Sequence, residues 1–240
     1  NQNMIKIEEI SKMMDHSILH PTFNTERLVH ECSIALKYNA ASVCVKPYAI
    51  KEARELLNNS DVKVGCVIGF PHGNSSINVK KYEAEEACKQ GTQEIDMVIN
   101  IGKALDKDWI YIKNEIREIT NICHTNNVII KVIIETDYVK ERTDKIMLCK
   151  ICSEARVDYI KTSTGYGFVK KENGDYNYVG ATIEDIKLMR QYCDKKVQIK
   201  AAGGIRTLDD LLKMKEAGAT RIGTTSTEQI IKEAIKKFNL

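Results

Sequence analysis

Two strand-like runs each end in a lysine followed by small residues, Asp158-Tyr-Ile-Lys161-Thr-Ser-Thr-Gly165 and Val197-Gln-Ile-Lys200-Ala-Ala-Gly-Gly204. A lysine with an ordinary pKa of ~10.4 is neutral in roughly one molecule in a few thousand at pH 7, so it attacks a carbonyl poorly. Burial and a second nearby ammonium both disfavour the charged form, and lowering the pKa by ~3 leaves roughly a quarter of the amine neutral. The pair therefore points to amine chemistry in which one lysine forms a Schiff base.

These lysines need a scaffold that brings distant strands together. Apolar runs of period two alternate with longer runs of period 3.6 along the chain. Strands are predicted at Met13–Leu19, Ala41–Pro47, Val62–Phe70, Glu94–Asn100, Ile129–Glu135, Tyr159–Gly165, Val197–Gly203 and Arg221–Ser226. Helices are predicted near 24–38, 48–58, 75–90, 106–125, 137–155, 182–193, 207–217 and 227–237. Thr182 with Asp185, and Thr207 with Asp210, have the form of N-caps with an acidic residue three positions on. Strand then helix, repeated along the whole chain, predicts an α/β fold: one (β/α)8 TIM barrel over residues 1–240.

Alternation within the strands says what faces inward. Val43 and Val45 oppose Ser42, Cys44 and Lys46; Ile95, Met97 and Ile99 oppose Asp96, Val98 and Asn100. Ile130, Val132 and Ile134 oppose Lys131, Ile133 and Glu135, and Val197, Ile199 and Ala201 oppose Gln198, Lys200 and Ala202. In an antiparallel meander the polar face would simply be wet. With helical crossovers the apolar face packs outward on helices, so Asp96, Lys131, Lys161 and Lys200 converge inside, toward the C-terminal mouth. Buried charges require mutual pairing, and such clusters are preferred sites of shifted pKa and catalysis.

A phosphate signal lies near the end of the chain. Gly203-Gly204-Ile-Arg-Thr207 follows the seventh strand, and Gly223-Thr-Thr-Ser226 closes the eighth and opens the last helix. Glycines let backbone N–H groups approach an anion, hydroxyls add donors, and a helix N-terminus adds positive potential.

Composition narrows the remaining classes. With 36 Lys+Arg against 33 Asp+Glu, the charge is too even to indicate a nucleic-acid or membrane partner, and the basic Lys232, Lys236 and Lys237 read as a solvated helix end. The apolar runs fall short of the ~18 residues of a membrane span, and Asn1-Gln-Asn-Met-Ile-Lys lacks a secretory apolar stretch, so the chain reads as cytoplasmic. Eight scattered cysteines, mostly within apolar patterns, argue against a disulfide framework. Cys149-Lys-Ile-Cys152 has redox or zinc spacing but sits in a helical pattern without a second pair. His16 and His20 lack the glutamate of a zinc-protease helix and are followed by Pro21, His72 fits a turn, and Trp109 fits a packing anchor.

Taken together, these residues resemble the deoxyribose-phosphate aldolase family of class I aldolases over nearly the whole chain. The likeness is carried by Asp15-His16, Ser42-Val-Cys44-Val, Val67-Ile-Gly-Phe-Pro-His-Gly73 and Glu94-Ile-Asp96-Met-Val-Ile-Asn100. It continues through Lys131-Val-Ile-Ile-Glu135-Thr, Tyr159-Ile-Lys161-Thr-Ser-Thr-Gly165 and Lys200-Ala-Ala-Gly-Gly204-Ile-Arg. The resemblance implies reversible cleavage of 2-deoxy-D-ribose 5-phosphate to D-glyceraldehyde 3-phosphate and acetaldehyde in deoxyribonucleotide catabolism, with neither metal nor organic cofactor. It further implies a homo-oligomer, dimer or tetramer, with a phosphosugar as its small-molecule partner.

By the same resemblance Lys161 matches the Schiff-base lysine, Lys200 the second lysine that perturbs it, and Asp96 the acid/base carboxylate. Gly165, Gly203, Gly204, Gly223, Thr225 and Ser226 fall where the family grips phosphate, with Thr225 replacing a serine of some members. Asp15, Cys44, Lys131 and Thr164 match supporting positions around the pocket.

The chain departs from the family pattern twice. Phe168-Val-Lys-Lys-Glu-Asn-Gly-Asp-Tyr-Asn-Tyr-Val179 stands where the family passes to Gly-Ala-Thr within a few residues. Following strand six, it is either a partial lid or subunit contact at the barrel mouth, or a solvated excursion. The chain also ends Phe238-Asn-Leu240 where some members carry a tyrosine, so a terminal-tyrosine proton relay does not carry over. Two further readings compete: another phosphate-binding barrel enzyme, and a catalytically dead barrel that only binds, against which the Asp96, Lys161, Lys200 set argues.

Overall fold

A computed structural model describes residues 2–238. Asn1 and Asn239–Leu240, on which the readings of the chain's two ends partly rest, lie outside the described residues. The elements run α1 (Gln2–Ser11), β1 (Met14–Ile18), α2 (Thr25–Lys37), β2 (Ser42–Val45), a 3-10 turn (Pro47–Ala49), α3 (Ile50–Leu56), β3 (Lys63–Ile68), α4 (Ile77–Lys89) and β4 (Glu94–Val98). They continue α5 (Ile101–Leu105), α6 (Trp109–Thr125), β5 (Ile129–Ile133), α7 (Arg142–Ala155), β6 (Tyr159–Lys161), β7 (Val169–Lys170) and β8 (Tyr176–Asn177). The chain closes with α8 (Ile183–Tyr192), β9 (Gln198–Ala202), α9 (Leu208–Ala217), β10 (Arg221–Thr224) and α10 (Thr227–Lys237).

Strands β1-β2-β3-β4-β5-β6-β9-β10 form a closed barrel in which every neighbour is parallel. All eight predicted barrel strands are present, and each stops short of its predicted C-terminal end. The residues trimmed off are those that turn into the mouth loops, such as Glu135, whose φ of 51° no strand accommodates.

Pleat alternation explains the core. Val43, Val45, Ile95, Met97, Ile130, Val132, Ile199 and Ala201 face the helices and are buried in one cluster with Ile112, Ile116, Leu148, Ile186, Leu211 and Ile230. Each such side chain contributes about 1.5–3 kcal/mol, so the outer layer stabilises the barrel while its interior is left to polar groups. Thr182 caps α8 by accepting from Asp185 N–H, and Thr207 with Asp210 forms a reciprocal capping box on α9, as their spacing predicts. Trp109 opens α6 and packs partly buried against the core.

Three local differences from the predicted elements have physical causes. The predicted helix 106–125 begins only at Trp109, after a separate short helix α5, because Lys107 adopts φ 57° and Asp108 caps the start by accepting from Tyr111 N–H. The predicted helix 137–155 begins only at Arg142, since Asp137 and Tyr138 accept hydrogen bonds from the segment after β6 instead. That segment, the insertion 168–179, folds into the antiparallel hairpin β7–β8. The cysteines are all free; Cys149 and Cys152 are buried in α7, where Cys193 Sγ donates to the Cys149 carbonyl at 3.8 Å. Among the described residues no helix is long and apolar enough to cross a membrane.

Away from the barrel interior, fully buried Lys80 on α4 ties the β3–α4 loop to β4. Its ammonium donates to the carbonyls of Gly73 and Val98, each at 2.8 Å, and to Glu115 of α6. Removing one member of such a pair strands a buried charge, at about 3–5 kcal/mol. Glu115→Ala should therefore lower Tm by roughly 6–20 °C in a scanning calorimeter. Lys80→Met combined with Glu115→Leu should recover most of that loss; equal losses in both variants would mean that lost packing, not an unpaired charge, sets the cost.

Candidate active site

The barrel strands put their charged residues on the inner face in adjoining registers. Asp96 lies beside Lys131 across β4–β5, and Lys161 beside Lys200 across β6–β9. Asp96 Oδ2 is 2.9 Å from Lys161 Nζ and 2.8 Å from Lys200 Nζ, while its Oδ1 is 3.0 Å from Lys131 Nζ. Asp15 on β1 closes the ring: its Oδ2 is 2.7 Å from Lys200 and 2.9 Å from Lys131, and its Oδ1 accepts from Ser42 and Arg221 at 2.6 Å each. Below them Glu94 Oε1 pairs with Lys131 at 2.7 Å and Arg221 at 2.8 Å.

The ion-paired cluster thus holds four cations, Lys131, Lys161, Lys200 and Arg221, against three carboxylates, Asp15, Glu94 and Asp96. One cation is in excess, and burial makes the excess costly. Lys131 touches three carboxylates, Lys200 and Arg221 two each; the one ion-pair partner of Lys161 among the described residues is Asp96. Lys161 is therefore the group that loses its proton most readily.

The titration directions agree. Burial lowers the Lys161 pKa below the ordinary lysine value; Asp96 opposes this and the Lys200 charge adds to it. Burial also works against charge on Lys200 and Lys131, but Asp15 and Asp96 outweigh it and hold both above the ordinary value. Asp15 and Asp96 resist burial because cations surround them, Arg221 foremost for Asp15 and Lys131 for Asp96, and both lie below the usual carboxylate range. Burial pushes the Cys44 thiol up to about 11, so no second nucleophile is ionised beside the amine at neutral pH.

Above the lysines opens a cavity of about 240 Å³. Lys161, Lys200, Asp15, Cys44 and Thr164 line it, as do Gly165, Gly203, Gly204, Gly223 and Thr225. Lys131 and Asp96 are fully buried beneath it. Thr164 Oγ1 donates to Glu135 at 2.6 Å and accepts from Tyr166 N–H at 3.0 Å, which shapes the turn after β6. At Gly223 an added Cβ would lie 3.1 Å from Lys200 Cε and from Ala202 Cβ, so this glycine makes room for the second lysine as well as lining the cavity.

Ser226 is not brought to the cavity. It stands at the N-cap position of α10 without a side-chain capping bond, its N–H donating to Thr224 Oγ1 at 2.9 Å, and it lines a separate groove between α2 and α10. The chain has already turned away from the mouth at that point, so of the Thr225-Ser226 pair only Thr225 lines the cavity. The two histidines also part: His16 faces outward to Thr227 at 2.8 Å and Glu31 at 2.6 Å, while His20 bonds Thr22 at the mouth. His72 stands exposed in the turn after β3.

Sequence reasoning missed several residues at the mouth. Arg206 and Tyr178 line the cavity, and Arg206 Nη2 donates to Tyr178 Oη at 3.0 Å. Arg206 stood within the Gly-Gly-Ile-Arg run, but nothing in its spacing tied it to a tyrosine on the insertion. The apolar wall that Leu19, Val67, Phe70 and Tyr166 build around the pocket residue Cys44 was also unread, because its members come from separate strands and loops. Arg221 and Glu94, the lower ion pair, begin strands whose later residues drew attention instead.

Comparison with known proteins fits this arrangement. The chain is 43% identical over 232 residues to deoxyribose-phosphate aldolase of Rhodopirellula baltica, covering 97% of this chain and 92% of that one. It is 45% identical over 227 residues to deoxyribose-phosphate aldolase of Caldicellulosiruptor saccharolyticus, covering 94% and 98%. Among solved structures, QR15, an aldolase, superposes with a TM-score of 0.85 at 34% identity, over 95% of this chain and 96% of that one. The model of the DeoC/LacD family aldolases matches residues 9–230, and the chain belongs to that family.

Proposed function

We propose that this family member cleaves 2-deoxy-D-ribose 5-phosphate reversibly to D-glyceraldehyde 3-phosphate and acetaldehyde, through a Schiff base on Lys161. The observation that carries this reading is the unequal sharing of carboxylates, which leaves Lys161 the least-paired cation in a cavity whose lining is also glycine-rich. Neutral Lys161 Nζ attacks the C1 aldehyde of the open-chain sugar, and loss of water gives the protonated imine. Loss of the C3 hydroxyl proton then breaks the C2–C3 bond, and the electron pair moves into the imine to form an enamine. Asp96 and Lys200, 2.8 Å apart, carry that proton through ordered water, and protonation at C2 followed by hydrolysis releases acetaldehyde and restores the amine.

Gly165, Gly203, Gly204, Gly223 and Thr225 hold the 5-phosphate in this reading, with Arg206 supplying the nearby positive charge. Lys131 keeps Asp96 charged and oriented, and Asp15 keeps Lys131 and Lys200 charged. No metal or organic cofactor takes part. The whole chain acts as one domain in the cytoplasm, where eight free thiols suit a reducing compartment, and works as a dimer or tetramer, for which exposed Tyr48, Tyr82 and Ile110 offer apolar surface.

Borohydride reduction in the presence of acetaldehyde should add mass to the peptide containing Lys161 and to no other lysine peptide. Labelling chiefly at Lys200 would reverse the two roles, and an active enzyme that takes no label would exclude the imine route.

Because the Lys161 pKa is lowered by burial and by Lys200, the rate of imine formation should rise with pH and level off below the ordinary lysine range. Lys200→Leu removes the like charge, so the midpoint should move up and turnover at pH 7 fall by 10-fold or more, on the order of 1.4 kcal/mol. Asp96→Asn should lower turnover while slow trapping at Lys161 persists. Stopped-flow measurement from pH 6 to pH 10 (roughly the span from ordinary His to ordinary Lys values) checks the profile, and an unmoved midpoint would refute the electrostatic coupling.

Activity should survive EDTA, and unphosphorylated deoxyribose should be a far poorer substrate, since binding of the remote phosphate positions the reacting carbon. Coupled assay of acetaldehyde release from both sugars measures this directly. Equal kcat/KM values would remove the glycine-rich phosphate site from the reading.

A further inference from the structure

The insertion 168–179 has a composition suited to solvent, with Lys170, Lys171, Glu172, Asn173, Gly174 and Asp175 at its tip. A two-stranded hairpin of this size is marginal in water by itself. Here it is fastened at both ends. At its start, Phe168 N–H donates to Tyr138 Oη at 2.6 Å, and the Phe168 ring stacks on Tyr176 with centroids 4.3 Å apart. At its end, Val179 N–H donates to Oδ1 of buried Asp137 at 2.7 Å, and Gly180 N–H reaches the same carboxylate.

The exit of the hairpin is also joined to the glycine-rich turn that lines the cavity. Ala181 N–H donates to the Gly203 carbonyl at 3.1 Å. Gly180 and Gly203 lie so close that a Cβ on Gly203 would sit 2.8 Å from Gly180 Cα, and both residues have positive φ. The hairpin therefore has a fixed position relative to Gly203 and Gly204, and Tyr178 at its end lines the cavity beside them.

From this position Tyr178 Oη accepts from Arg206 Nη2 at 3.0 Å. Arg206 is otherwise exposed, and the partner of its guanidinium among the described residues is the Tyr178 phenol, not a carboxylate. An exposed arginine loses considerable rotamer freedom when a ligand orders it. A phenol oxygen holds the guanidinium in place without neutralising it, whereas a carboxylate partner would cancel the charge that an incoming anion needs.

We propose that Tyr178 is a positioning residue supplied by the insertion, which holds Arg206 over the glycine end of the cavity in readiness for a phosphomonoester, so that phosphate selectivity in this chain depends on the hairpin. The inference rests on the phosphosugar reading and adds to it which segment sets the preference.

Tyr178→Phe keeps the ring and removes only the acceptor. It should raise KM for 2-deoxyribose 5-phosphate three- to tenfold (roughly the span expected for one ordinary hydrogen bond lost at an exposed site) while kcat stays within about twofold. The Kd for inorganic phosphate, measured by calorimetry, should rise by the same factor, and kcat/KM for unphosphorylated deoxyribose should not change. In an Arg206→Ala background the further change Tyr178→Phe should have no effect, because the two act through one contact. Should these variants fold poorly, replacing residues 168–178 by a glycine pair should reproduce the phosphate-specific rise. A wild-type protein that binds no phosphate would overturn this inference together with the reading beneath it. Phosphate binding that is equal in wild type and Tyr178→Phe, or a loss shared by phosphorylated and unphosphorylated sugars, would overturn the inference alone.

Discussion

Three ammonium groups from three different strands meet the single carboxylate of Asp96. That contact is the constraint to which the rest of the barrel conforms. A charge at the bottom of a barrel is tolerated only when paired, and the pairing requires β4, β5, β6 and β9 to stand in one register. A slip of one residue would turn Asp96 or Lys200 into the helix layer and bring Met97 or Ala201 inside. The outer shell of Val and Ile side chains makes the opposite demand with the same parity, so packing and electrostatics select the same alignment.

The polar interior is graded along the barrel axis. At the bottom Arg221, Glu94 and Lys131 satisfy one another, with Tyr159 Oη accepting from Arg221 at 3.2 Å. One level up, Asp15 and Asp96 serve two tiers at once. At the top Lys161 has the fewest partners and the nearest access to the cavity. Fully paired charges beneath a poorly paired amine give that amine a rigid seat and little reason to remain protonated. Gly223 belongs to the same grading, since any larger residue there would push on the aliphatic stem of Lys200.

Much of this was legible in the residues because strands and interior charges carry local signals. Period-two alternation located every barrel strand, and Lys131, Lys161, Lys200 and Asp96 fell on the inner face by parity alone. The glycine-rich runs 203–204 and 223–226 were readable as turns at the mouth, although the last residue, Ser226, stands at the N-cap position of the helix that follows and outside the cavity lining. What stayed hidden depends on contacts between segments far apart in the chain. Asp137 looked like the start of a helix, because its carboxylate's partners, Val179 and Gly180, lie 42 and 43 residues on. Tyr178 pointed only to a partial lid or subunit contact, because its partner Arg206 lies 28 residues on. The number of carboxylates each lysine touches is likewise a property of three dimensions, and composition could give only the near balance of charge.

The close backbone contact between Gly180 and Gly203 separates two kinds of change that this fold could undergo. Gly180 and Ala181 are fixed to the cavity wall at Gly203, while the segment between the anchors at Tyr138 and Asp137 lies outside it except for Tyr178. The mouth therefore contains a port: a pair of fixed attachment points between which segments of different length and charge can be exchanged without disturbing the lysines below. Recognition of the distal end of a substrate can then drift from one lineage to another, or be grafted by design, while the bond-breaking machinery is inherited unchanged.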